Sequence, residues 1–131
     1  MLFKYKYFRE DKVRVLSKLQ ELLEKEEKVL LAIIFGSFVD LESYRDIDIA
    51  VYSKDENLEF LAKLGAKLEL ELKIPVDVVP LRELEPRFRQ RVLIKGIVVM
   101  EKQPGLYEAL LSLTLDELKL LEIACYGVKY S

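Results

Sequence analysis

"FGSFVDLESYRDIDIAVY", residues 35–52, places two aspartates, Asp46 and Asp48, at the head of a run that otherwise reads as a strand. Asp is among the residues most depleted from strands, and a buried carboxylate is costly unless it is paired or holds a cation. Side chains alternate along a strand, so Asp46 and Asp48 share one face while Ile47 and Ile49 share the other. Carboxylates about 6–7 Å apart along a strand can converge on one ion.

The elements on either side follow from hydrophobic pattern. "VLLAIIF", 29–35, is a continuous apolar run closed by Gly36, which predicts a central strand covered on both faces. "DIDIAVY", 46–52, is a second strand, and "IPVDVVPL", 74–81, a third, with Pro75 near its start and Pro80 near its end. "IVVME", 97–101, is a short fourth. Helical periodicity covers 10–28, 56–73 and 84–96. Gly65 weakens the second of these helices; Pro86 suits the first turn of the third and Gly96 its stop. A last helix is expected in "LTLDELKLLEIAC", with Thr114 and Glu117 as a capping box ahead of Leu118, Leu121 and Ile123. That helix and Cys125 read as core. The prediction is one α/β (α+β) domain over 1–131, a small mixed sheet of about four strands with helices packed on it.

Composition narrows the chemistry. There is no histidine, which removes Ser-His-Asp and Cys-His hydrolases and histidine metal sites. One cysteine allows neither an internal disulfide nor a cysteine-based zinc site. The net charge of −2 lacks the footprint of a general nucleic-acid binder. No apolar stretch approaches the roughly 20 residues of a membrane span, and the start "MLFKYKYFRE" is no secretory signal, so a cytoplasmic protein is expected. Within that start, "LFKYKYF" reads as an extra edge strand or a loosely held terminus. The bias toward Lys and Glu matches thermophile proteins.

Asp77 is a third carboxylate in an apolar strand. If strands two and three are neighbours, all three can meet. Two such charges 4 Å apart repel by about 4 kcal/mol at an effective dielectric near 20, and oxygen-only ligands suit Mg²⁺ or Mn²⁺. Gly36 lets backbone approach a phosphate closely, and Ser37 offers it a hydroxyl and an N–H. A Gly-Ser pair after a strand is more often a plain turn; ahead of Asp-x-Asp it gains meaning.

"FGS", eight residues, then "DIDIAV", with the later "PVDVV", resembles the minimal nucleotidyltransferase family of the DNA polymerase β superfamily, over nearly the whole chain. The resemblance implies that Gly36 and Ser37 hold a nucleotide's triphosphate, that Asp46 and Asp48 ligate two Mg²⁺ ions, and that Asp77 holds the catalytic metal. It implies transfer of a nucleoside monophosphate, AMP from ATP, to a hydroxyl. Family members commonly act as antitoxins that adenylylate a tyrosine on a small helical HEPN partner. Here the loop "FVDLESYR" is shorter than usual and lacks the family's Arg-Gly. Arg45 stands where Ser is common, and reads equally as a phosphate contact or a charged turn residue. Asp40 and Glu42 would repel a triphosphate if they faced inward. A degenerate binding module acting through a partner protein is therefore the alternative. The basic run "RFRQR", 87–91, reads as a solvated helix face or as a phosphate contact.

Overall fold

In a computed structural model the described residues are 11–55 and 57–130, with side chains through 125. The reading of "LFKYKYF" lies outside them. The four expected helices and four strands appear in the predicted order, with an additional one-turn helix in the loop after the first strand: α1 Lys12–Glu24, β1 Val29–Phe35, α2 Ser37–Asp40, β2 Ile47–Ser53, α3 Leu58–Leu72, β3 Val76–Pro80, α4 Pro86–Lys95, β4 Ile97–Glu101 and α5 Leu106–Tyr130.

The strands form one sheet in the order β3-β2-β1-β4. β1 pairs antiparallel with β2 and β4, whereas β2 and β3, joined through α3, run parallel. Mixed pairing follows from connection length, since a short connection returns the chain antiparallel and a helical crossover returns it parallel. β1 is central, as its unbroken apolar run requires. β3 is an edge strand, which is where Pro80 is tolerated.

Each face of the sheet carries its own core. α1 and α3 set Leu19, Leu23, Leu64 and Leu68 against Ile34, Ile47 and Ile49. On the other face α4 and α5 set Val92, Leu93, Leu106 and Leu110 against Leu31, Ile33 and Ala50. Asp48 is separated from Ala50 by one residue, so by alternation it shares this second face.

Local caps place the elements. Asn57 accepts from the Phe60 N–H at 2.7 Å to start α3. Glu69 on α3 accepts from the Val76 N–H at 2.9 Å and so locks the start of β3. Glu85 accepts from the Arg87 and Phe88 N–H groups ahead of Pro86, the first residue of α4. Gly65 faces β3, where a Cβ would meet the Val76 carbonyl oxygen at 3.4 Å and Val78 Cγ2 at 3.5 Å, ordinary contact distances that an alanine would also make.

α5 departs from expectation at both ends. It begins at Leu106, so Thr114 is not a cap but an interior residue that donates to the Leu110 carbonyl oxygen at 2.8 Å. Glu117 pairs with Arg89 instead of closing a capping box. Toward its other end the helix outruns the sheet, and residues 119–125 are exposed. Leu121 and Ile123 are 49% and 59% exposed, and Cys125 is exposed with them. Apolar periodicity names a face to be covered but not what covers it.

Candidate active site

The three aspartates come to one end of the sheet. Asp46 is the last residue before β2, and Asp48 lies one residue into it. Parallel registration sets Asp48 opposite Asp77, and antiparallel registration sets Phe35 opposite Asp48. Phe35, Asp48 and Asp77 thus form a row across three strands, with Gly36 closing the β1 end. The sequence named Asp77 without knowing its neighbour; strand pairing supplies it.

The electrostatics follow from this row. The Asp48 carboxyl is pushed up from its ordinary 3.8 to about 6, first by burial, then by the negative fields of Asp46 and Asp77. Among the described residues no group of three acidic, histidine or cysteine side chains is gathered tightly enough to hold a metal ion as it stands. The donor set nonetheless fits a hard divalent cation: it is all oxygen, Asp46 and Asp48 are half-buried, Asp77 is exposed, and the negative charges of Asp46 and Asp77 press on Asp48.

Gly36 has φ of +82°, and a Cβ built on it would lie 2.6 Å from Asp48 Oδ2. Both the left-handed backbone and the close approach demand glycine. Ser37 follows as the first residue of α2. Two aromatic side chains anchor the segment after it. Phe38 and Tyr44 are fully buried and meet edge to face at 4.7 Å between ring centroids. Lys12 of α1 donates to the Leu41 carbonyl oxygen, with its ammonium 5.3 Å from the Phe38 ring centroid. Asp40 and Glu42 are both exposed, and Asp40 also lines a cavity beside Gly36. Arg45 is exposed beside Asp46.

The basic run divides in a way its letters do not show. Arg89 is buried, donating from Nε to Thr114 Oγ1 at 2.8 Å and from Nη1 to the Arg82 and Leu84 carbonyl oxygens at 3.0 and 3.2 Å. Its Nη2 pairs with Glu117. Arg89 is a structural clamp between α4 and α5 and is not available to a phosphate. Arg87 and Arg91 are exposed.

The raised Asp48 carboxyl makes a stability prediction with a definite sign. Its folded-state pKa lies above the unfolded value, so protons favour folding. The contribution is complete below pH 3.8 and lost as pH rises through about 6. The shift corresponds to at most about 3 kcal/mol, which solvent access to the half-buried side chain reduces to roughly 1–2. In metal-free buffer at pH 8, Asp48→Asn should therefore melt about 3–8 °C higher than wild type. At pH 4 the two should melt together. Equal melting at pH 8 would remove the repulsion from this account.

Residues 17–105 match the family model described as "Polymerase beta, Nucleotidyltransferase". No curated protein matches the sequence. Among solved structures, a complex of tri-AMPylated HEPN toxin with MNT antitoxin from Shewanella oneidensis is similar at 26% identity. That match has a TM-score of 0.71 and covers 90% of this chain and 95% of that one. A toxin–antitoxin complex with AMP-PNP is similar at 26% identity and TM-score 0.72, covering 86% and 94%. The MntA–HepT toxin–antitoxin complex, at 24% identity and TM-score 0.69 over 88% and 94%, shares the fold.

Proposed function

This chain belongs to the polymerase β nucleotidyltransferase family, and on that premise we propose that it transfers AMP from ATP to a hydroxyl on a helical partner protein of the HEPN type. The observation that carries the chemistry is the pairing of Asp48 with Asp77 across neighbouring strands, with Asp46 two residues before Asp48 and Gly36 against it. The partner and the nucleotide rest on two relatives, one seen with a tri-AMPylated HEPN toxin and one with AMP-PNP.

In the reaction the acceptor oxygen forms a bond to the α-phosphorus, and the bond from that phosphorus to the bridging oxygen of the β-phosphate breaks. The acceptor's proton passes to solvent water, with Asp77 helping to draw it off, and pyrophosphate leaves with the bonding electrons. Asp46, Asp48 and Asp77 would hold Mg²⁺ or Mn²⁺, which neutralises charge on the attacking and leaving oxygens. The Gly36 turn brings bare backbone up against the Asp48 carboxylate, and Ser37 would offer its hydroxyl to phosphate oxygens there. Arg45 adds a cation beside the carboxylates.

The exposed apolar residues of α5, Leu113, Leu120, Leu121 and Ile123, supply a surface on which a helical partner can pack. Among the described residues no helix is long and apolar enough to cross a membrane.

The reading is tested with ATP labelled at the α or the γ position, incubated with Mg²⁺, this protein and a co-expressed HEPN-type protein. Label should pass to the partner from the α position and not from the γ position. Transfer from the γ position would make the chain a kinase in practice and end the proposal.

A further inference from the structure

α4 places Arg87, Arg91 and Lys95 at intervals of four on its exposed side, opposite the buried Arg89, Val92 and Leu93. Residues at that spacing stack along one helix face. Among the described residues Arg87, Arg91 and Lys95 form no ion pair, unlike Arg89. Two of them, Arg91 and Lys95, line a cavity of about 170 Å³ together with Phe35, Gly36, Phe88 and Asp40. Outside it, Arg87, Arg91 and Lys95 border a wider groove of about 430 Å³.

Gly36 belongs both to this cavity and to the carboxylate row, since its missing Cβ is what keeps it clear of Asp48. A chain of phosphates whose first member is attacked at the aspartates, and which passes Gly36, arrives at Arg91 and Lys95. The aromatic floor is the edge-to-face contact of Phe35 on β1 with Phe88 on α4, ring centroids 5.5 Å apart, which joins the two elements beneath the cavity. Asp40 opposes two cations with one carboxylate, so the cavity keeps a positive balance.

We propose that Arg91 and Lys95 grip the β- and γ-phosphates of the nucleotide, and the pyrophosphate after transfer. The proposal rests on the nucleotidyltransferase reading for its ligand, but the cavity and its cations stand on their own geometry. Guanidinium and ammonium groups beside a closed turn bind polyphosphate by charge-assisted hydrogen bonds. Nothing in this arrangement recognises the base or the α-phosphate. The two side chains should therefore separate ATP from AMP.

Calorimetric titrations of ATP, AMP and inorganic tripolyphosphate with Mg²⁺ test this, on wild type, on the double variant Arg91→Gln/Lys95→Gln, and on Asp40→Asn. The double variant should bind ATP and tripolyphosphate about 10- to 100-fold more weakly, with AMP affinity and melting temperature unchanged. Asp40→Asn should bind both polyphosphates a few-fold more tightly, because it removes the opposing charge. Unchanged ATP affinity in the double variant, or equal weakening of ATP and AMP, would overturn the assignment. If wild type binds tripolyphosphate through this pair but does not bind ATP, the grip stands and the nucleotidyltransferase reading falls. If wild type binds neither, both fall. Salt-steep binding of RNA that is lost in the double variant, without any effect on ATP, would assign the row to a polynucleotide instead.

Discussion

Asp48→Asn should reduce AMP transfer by at least about 10³-fold, a loss of about 4 kcal/mol of transition-state stabilisation. The expectation comes from position. Asp48 is the middle member of the row, opposite Asp77 on one side and Phe35 on the other, and it lies against Gly36. Asparagine keeps the shape and one oxygen but removes the charge that would bind a divalent cation, and two like-charged neighbours cannot replace it. The same substitution should raise stability at neutral pH by relieving repulsion, so lost activity cannot be assigned to lost folding. A variant that is more stable and inert is the result to look for. Activity within tenfold of wild type would falsify the metal role of Asp48. The measurement is a single-turnover time course with α-labelled ATP and saturating Mg²⁺, beside thermal melts of the same samples.

The second large effect is on the fold. Arg89→Ala should destabilise the protein by about 3–5 kcal/mol, because it removes a buried cation and strands its partners. Those partners are Thr114 on α5, the Arg82 and Leu84 carbonyls in the turn after β3, and Glu117. At roughly 3–6 °C per kcal/mol the melting temperature should fall by 10 °C or more. Glu117 is partly exposed, so Glu117→Gln should cost only about 1 kcal/mol. Arg89→Lys should fail to rescue, since an ammonium cannot reproduce the planar fork that reaches α5 and the turn after β3 at once. Denaturant unfolding of the three variants decides it. A loss below 1 kcal/mol for Arg89→Ala would show that α4 and α5 are held by their apolar contacts alone.

The two arginine predictions pull a single run of letters apart. Arg87, Arg89 and Arg91 look alike in "RFRQR", yet one is a clamp, one faces solvent and one lines a cavity. Helical periodicity distinguishes faces but needs to know which face meets the sheet. In α4 the apolar markers Val92 and Leu93 already point that way, and Arg89 falls on their side. A polar residue on a buried face needs partners, and those partners lie in other elements.

α5 shows the same limit from the opposite direction. Its leucines continue to residue 121, and a single-sequence reading treats them as core. Only the length of the sheet decides where cover ends. Leu106 and Leu110 meet it, whereas Leu120, Leu121 and Ile123 lie beyond. In sequence Thr114 has the look of a cap because it precedes an apolar run, but the helix begins eight residues earlier and a Thr–carbonyl bond within the helix satisfies its hydroxyl.

By itself the sequence determined the order of strands and helices, because alternation and 3.6-residue periodicity are local properties of the chain. It also determined which residues are chemically out of place: two aspartates heading a strand, a third among valines, and a glycine where the first strand stops. Only the tertiary structure decided that the strand of Asp77 lies parallel beside that of Asp48. Only it showed that Gly36 closes on Asp48 and opens onto Arg91 and Lys95. Strand register and the meeting of distant side chains depend on pairings between segments far apart in the chain, and those are set by the packing of the whole sheet.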